Sequence, residues 1–187
     1  MNADSQDPEA LRERLEQAAA GTKRRREPVD HGHYGIRIAR DGKWYYRGSR
    51  IDRKPLVTLF SSVLRRGADG GFWLETPAEK GLIDVDDAPF VAVELYIRQT
   101  GRGQVLTMRT NIDEIVTMDA AHPLHVEIDP ASGEPSPYIV VRDGLDALIA
   151  RSVYYELAEL GVELADGRFG VWSAGTFFVL GELEGTA

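Results

Sequence analysis

Six side chains in this sequence have the types and spacing to receive an anion: Trp44, Tyr46 and Arg47 together, Arg109 with Asn111, and Arg142 further on. A guanidinium is a planar fork of donors that matches a carboxylate or phosphate, and a neighbouring aromatic ring supplies a stacking wall. Arg50 adds a further cation to the first group. In this scheme Arg47, Arg109 and Arg142 take the negative groups, Trp44 and Tyr46 line the wall, and Asn111 fixes orientation. The plainer alternative gives the aromatics to a half-buried sheet and the arginines to the chain's own carboxylates, as surface arginines on an acidic protein usually find acids.

Other residues could do chemistry but are less well arranged. His31 and His33 form H-x-H, and His122 and His125 form H-x-x-H. Pro123 forbids a helix through the second pair, and on a strand that spacing points the two rings to opposite faces. The first pair falls in what reads as a flexible lead-in to the folded chain. Asp84, Asp86 and Asp87, with Glu75 and Glu79, could share a proton or hold a hard cation, though aspartates in such a run also form turns by bonding local backbone donors. Ser61 and Ser62 have no local base, and the chain carries no G-x-S-x-G, no Walker-type loop and no G-x-G-x-x-G. Gly101-Arg102-Gly103 falls in a hairpin turn and opens no helix, so it is not read as a phosphate loop. No cofactor is implied.

The bulk properties narrow the partners. A net charge of -8 over 187 residues argues against nonspecific binding to nucleic acid or an anionic membrane. There are no cysteines, so neither disulfides nor thiolate metal sites are available, which suits a reducing compartment. No apolar run is long enough to span a bilayer, and Asn2, Ala3 and Asp4 after Met1 do not start a secretory signal. The expected location is the cytoplasm.

The elements that must position these groups are mostly hairpins. Residues 1–30 read as an arm: Asp7-Pro8 opens a helix with a thin stripe at Leu11, Leu15 and Ala18, Gly21 stops it, and a basic linker Lys23–Arg26 follows. Ile36 and Ile38 alternate into Asp41-Gly42, whose residues suit a type I′ turn, and Trp44 and Tyr46 return. Leu56, Leu59, Phe60, Val63 and Leu64 lie on one face of a helix opened by Pro55 and closed by Gly67, with Ser61 off that face. Phe72–Leu74 starts a strand, Leu82-Ile83 and Val85 are short strand candidates, and Phe90–Gln99 with Gln104–Thr110 form a second hairpin. Ile115–Met118 is another short strand.

From Leu124 the pattern restarts. His125–Ile128 and Tyr138–Val141 pair over Asp129–Pro137, and Leu145, Leu148, Ile149, Val153, Leu157 and Leu160 trace one long helix ending at Gly161. Phe169–Trp172 and Thr176–Leu180 close the chain. Hairpin, helix, glycine break and a tryptophan-bearing strand then occur twice, with Trp73 and Trp172 in matching places. The fold class expected is α+β: a duplicated unit of antiparallel hairpins, each packed on one amphipathic helix. The expected divisions are an arm at 1–30, an N-terminal half at 31–89 and a C-terminal half at 90–187.

The stretches RDGKWYYRGSRIDRKPLVTLFSSVL, LETPAEKGLIDVDDAPF, MRTNIDEI and HPLHVEID…PYIVVRDGLDALIARSVYYEL resemble an uncharacterised bacterial domain-of-unknown-function family. The resemblance runs from Tyr34 to Leu160 and leaves the first thirty residues outside it. It implies a β-rich duplicated core, a C-terminal half like a pleckstrin-homology domain, a ligand cleft between the halves and a signalling or regulatory role. It brings no established activity. Its motifs match at Trp44, Thr76, Pro77, Arg109, Asn111 and Arg142.

The functional expectation is a non-enzymatic binding or regulatory/signalling module that holds an anionic small molecule or acidic peptide in the cleft between the two halves. One alternative is a metal-dependent hydrolase using Asp84–Asp87 with His122. A protein–protein adaptor working through sheet edges or the N-terminal arm is the other.

Overall fold

The structure, a computed structural model, describes residues 8–20 and 27–182. Asp7, Gly21 and the basic run Lys23–Arg26 lie outside the described residues. The chain divides into two compact units, Met1–Asp87 and Ala88–Ala187.

The N-terminal unit begins with helix α1 (Pro8–Ala20) and runs through strands β1 (Val29–Ile38), β2 (Trp44–Tyr46) and β3 (Ser49–Arg50). Helix α2 (Lys54–Ser62) then leads to β4 (Leu64–Arg66), β5 (Phe72–Glu75) and β6 (Glu79–Val85). The six strands make one sheet in the order β3-β2-β1-β6-β5-β4, antiparallel except for the central parallel pair β1–β6. A parallel pair needs a long crossover, and α2 with the β4–β5 hairpin supplies it. Leu56, Phe60 and Ser61 of α2 are buried, with Ile36, Ile38, Trp44, Leu74 and Ile83 on the buried side of the sheet. Leu11 and Leu15 bury α1, which contacts α2.

Five details differ from expectation here. α2 stops at Ser62, because Val63 leaves the helical region and Leu64 starts a strand that pairs with Leu74. Ser61 is buried, its hydroxyl donating to the Thr58 carbonyl at 2.8 Å instead of facing water. The Asp41-Gly42 turn has positive φ at Gly42 but not at Asp41; both positive φ values of a type I′ turn occur at Arg47 and Gly48, between β2 and β3. Finally, Leu82, Ile83 and Val85 belong to one strand, β6, and His31 and His33 lie within β1 rather than in a flexible lead-in.

The C-terminal unit runs β7 (Phe90–Arg98), a 3₁₀ turn at Gly101–Gly103, β8 (Val105–Thr110), β9 (Ile115–Thr117), β10 (Leu124–Ile128), β11 (Pro135–Arg142) and β12 (Leu145–Ile149). Helix α3 (Arg151–Glu159) and a three-stranded sheet of β13 (Val162–Glu163), β14 (Arg168–Ser173) and β15 (Thr176–Glu182) complete it. The large sheet has the order β10-β11-β12-β7-β8-β9, again with one central parallel pair, β12–β7. Ser173 and Gln104 tie the small sheet to the large one. The buried Ser173 hydroxyl donates to the Met118 carbonyl at 2.6 Å and accepts from the Leu106 amide at 3.0 Å. Gln104 Nε2 donates to the Trp172 carbonyl at 2.7 Å.

The long helix expected over Leu145–Leu160 is two elements. Leu145, Ala147 and Ile149 are buried in alternation, with Asp146 and Leu148 between them, so β12 is a strand with a period of two. The helix covers only Arg151–Glu159 and buries Val153 and Leu157. Asp143-Gly144 is therefore the turn of the β11–β12 hairpin.

The fold is α+β and mostly β, and its duplication follows a frame different from the one read off the sequence. In each unit three strands meander outward from the centre, the chain crosses to the far edge, and three more meander back to lie parallel beside the first. β1–β6 thus correspond to β7–β12. The helix is not duplicated in place: α2 fills the crossover of the first unit, whereas α3 follows the sixth strand of the second.

Candidate functional site

Arg109, Asn111 and Arg142 come together around one turn of the C-terminal unit. The turn joins β8 to β9 and is closed by Thr110, whose amide donates to the Glu114 carbonyl at 2.8 Å and whose hydroxyl accepts the Glu114 amide at 3.1 Å. Asp113 takes a left-handed conformation, φ 65°, which aspartate tolerates better than most residues. Asn111 acts as a short piece of strand. Its amide donates to the Val91 carbonyl at 2.8 Å and its Oδ1 accepts the Val91 amide at 3.0 Å, beside the bulge that breaks the β7–β8 ladder between Ala92 and Glu94.

Arg109 faces Glu94 across the ladder and Asp113 across the turn. Its Nε and Nη2 donate to the two Glu94 oxygens at 2.9 and 2.7 Å, a bidentate fork, and its Nη1 donates to Asp113 at 2.7 Å. The Tyr96 hydroxyl donates to the same Glu94 carboxylate at 2.5 Å. Arg142, arriving from β11, donates through Nη1 to both Glu114 oxygens and lies 5.1 Å from the centroid of the buried Phe90 ring. Two guanidiniums, three carboxylates and an asparagine thus share one turn.

These contacts set a titration. Hydrogen bonds from Arg109, then from the Tyr96 hydroxyl, hold the Glu94 carboxyl down to about 2 from its ordinary 4.5. A carboxyl whose folded value is depressed contributes stability above the ordinary carboxylate range and loses it as pH falls through about 2. In Arg109→Ala, Glu94 is expected to titrate well above its wild-type value, still held somewhat low by the Tyr96 hydroxyl, read as the carboxyl ¹³C shift by NMR. A Glu94 midpoint still near 2 in that variant would show that Arg109 is not the cause.

Trp44, Tyr46 and Arg47 belong to the N-terminal unit. Trp44 and Tyr46 point into its core at 1% and 7% exposure, Trp44 against Phe60 with ring centroids 6.2 Å apart. Arg47 sits at the β2–β3 turn, its guanidinium 5.3 Å from the Tyr46 ring centroid and its amide donating to the Gly35 carbonyl at 2.8 Å. The alternation that marks Trp44 and Tyr46 as strand residues is also what sends both rings to the buried face.

Among the acids of 75–87, Asp86 and Asp87 pair with arginines, while Asp84 and Glu79 face histidines. Asp86 is gripped by Arg37, Asp87 accepts Arg40 at 2.9 Å, and Asp84 faces His33 at 3.3 Å. Glu79 is buried with its Oε2 3.0 Å from His31 and 3.4 Å from Arg14. Beside it, burial first and then Glu79 push the Tyr34 hydroxyl up to about 12. His122 Nδ1 lies 3.1 Å from the Val140 carbonyl and His125 stacks on Tyr138. Among the described residues no three His, Asp or Glu side chains gather as a metal site would require. Ser61 and Ser62 donate to carbonyls of their own helix.

Sequence reasoning missed a 450 Å³ cavity at the tip of the β7–β8 hairpin, lined by Ile97, Arg102, Gln104, Leu160, Val162 and Trp172 among others. Gly101-Arg102-Gly103 was legible as a turn, but nothing local says that β13 with its flanking residues Leu160 and Leu164, and Trp172 of β14, far downstream, lie beside it. A second cavity of 620 Å³ lies between β10 and β15.

The sequence matches an N-terminal domain of unknown function, DUF1285, over residues 24–88, and the C-terminal domain of the same family over residues 89–180. The chain belongs to the DUF1285 family. A crystal structure of a DUF1285 protein from Silicibacter pomeroyi DSS-3 is similar at 44% identity and a TM-score of 0.80, covering 90% of this chain and 95% of that one. Another DUF1285 structure, from Shewanella baltica OS155, is similar at 25% identity and a TM-score of 0.53, covering 67% and 91%. No curated protein matches the chain. Membership in DUF1285 therefore brings fold and kinship, and function has to come from the side chains. Among the described residues no helix is long and apolar enough to cross a membrane.

Proposed function

We propose that this protein is a non-enzymatic binding or regulatory module that takes an anionic small molecule or acidic peptide at the Thr110–Glu114 turn. The single observation that supports this reading is the gathering of Arg109, Asn111 and Arg142 on that turn. An incoming carboxylate or phosphate would take over guanidinium donors now engaged by Glu94, Asp113 and Glu114. Ion pairs this close to water contribute little to stability, so the exchange is inexpensive. The released acids would then carry the signal, since the turn joins β8 to β9 and Arg142 ties it to β11. The pleckstrin-homology-like reading of the C-terminal unit and a cytoplasmic location belong to the same proposal.

The test is a titration with inorganic phosphate, citrate and an Asp/Glu-rich peptide, followed by heteronuclear NMR. Arg109→Ala should abolish binding and leave thermal unfolding near that of the wild type. If Arg109→Ala unfolds the protein, the residue is structural and the site is lost. An adaptor role draws support from Ile115 and Ile128, 57% and 60% exposed on the edge strands β9 and β10. For a hydrolase built on Asp84–Asp87 with His122 no specific observation speaks.

A further inference from the structure

We infer that the cavity at the tip of the β7–β8 hairpin binds a small zwitterion with an apolar body, the chemistry of a free apolar amino acid. At 450 Å³ it falls within the roughly 300–1,000 Å³ of small-molecule sites. Ile97, Leu160 and Leu164 give it apolar walls, with Trp172 beside them. Ile97 and Val162 are 47% and 44% exposed there, so an apolar body in the cavity would cover aliphatic surface that the fold leaves in water.

The charges on the cavity lining decide the ligand class. Arg102 sits over the Trp172 ring, 5.5 Å from its centroid, and makes no ion pair among the described residues. Glu163 lines the same cavity and also makes no ion pair among the described residues. A monoanion would be drawn by Arg102 and repelled by Glu163, and a monocation the reverse. A ligand bearing both charges satisfies the two together, and the cavity discriminates by charge as well as by shape.

The groups that shape the cavity are themselves held. Gln104 is buried, and its side-chain amide fixes the Trp172 carbonyl, so β14 keeps its place against the hairpin. The cavity lies at the opposite end of β8 from Arg109, about 15–20 Å away at the usual rise of a strand. It does not rest on the anion site proposed above, and the two can fail separately.

The experiment is a thermal-shift and tryptophan-fluorescence comparison on the full chain. The probes are L-leucine, L-isoleucine, L-phenylalanine and L-tryptophan, with glycine, 3-phenylpropionate and phenethylamine as controls. At least one of the four amino acids, at hundredfold excess over its Kd, should raise Tm by roughly 5–10 °C. Glycine should give no shift. Phenylpropionate and phenethylamine should each bind at least tenfold more weakly than phenylalanine. Arg102→Gln should remove the amino-acid response while sparing that of phenethylamine, and Glu163→Gln should do the converse for phenylpropionate. Should either variant fold poorly, the wild-type probe series still decides. No response to any amino acid at millimolar concentration, or phenylpropionate binding as well as phenylalanine, would overturn the assignment.

Discussion

Trp44→Ala is expected to cost about 3–5 kcal/mol of stability. Trp44 is 1% exposed and packs on Phe60 of α2, where β2 faces the helix. Removing the indole empties the space between sheet and helix, and a close-packed interior collapses into such a gap only in part. The indole Nε1 has no hydrogen-bond partner among the described residues, so the side chain is there for its bulk. Trp44→Phe should then lose far less, because it keeps most of the apolar volume and removes an unpaired donor. Urea unfolding of both variants measures this. Equal losses in the two, or a Trp44→Ala loss below about 1 kcal/mol, would put the ring outside the core and return it to the role of a ligand wall.

The tight hairpins were legible in the sequence because two signals agree there. Alternating apolar residues flank a glycine-bearing turn in β1–β2 and β7–β8, and no other local structure satisfies both. The central parallel pairs β1–β6 and β12–β7 were not legible, because each joins strands about fifty residues apart in sequence that carry no mutual signal. The repeat was legible as a fact and not as a frame. Aligning the chain by its helices sets α2 against α3, yet these occupy different slots, and only the sheet order reveals the true correspondence. Residue type picked out Arg109, Asn111 and Arg142 as candidates, and the sheet brings all three around one turn. Their acid partners were not readable, since Glu94 meets Arg109 only through the β7–β8 register and Glu114 meets Arg142 only once β11 is in place. Trp44 and Tyr46 show the reverse: the same alternation that predicted their strand also dictated that they face inward.

Ala147→Asp is expected to cost at least about 4 kcal/mol and to unfold the C-terminal unit, whereas Leu148→Ala is expected to cost much less. The ordering tests the element on which that unit's sheet depends. Over 145–160 a helical reading puts Leu145, Leu148 and Ile149 on the core face and leaves Ala147 off it. A strand reading puts Leu145, Ala147 and Ile149 inward, and alanine is too small to advertise the alternation. The structure has Ala147 fully buried in β12, opposite Ile139 on β11 and Phe90 on β7, with Leu148 half-buried on the other face. A carboxylate at Ala147 would sit between two neighbouring strands, directly opposite the apolar Ile139 and Phe90. β12 is the only strand joining β10–β11 to β7–β9, so disrupting it divides the sheet and releases Arg142 from the turn that carries Arg109. Circular dichroism and amide exchange of the two variants would settle the matter. A folded Ala147→Asp protein with an unfolded Leu148→Ala would restore the helix and remove the geometric basis for gathering the two arginines.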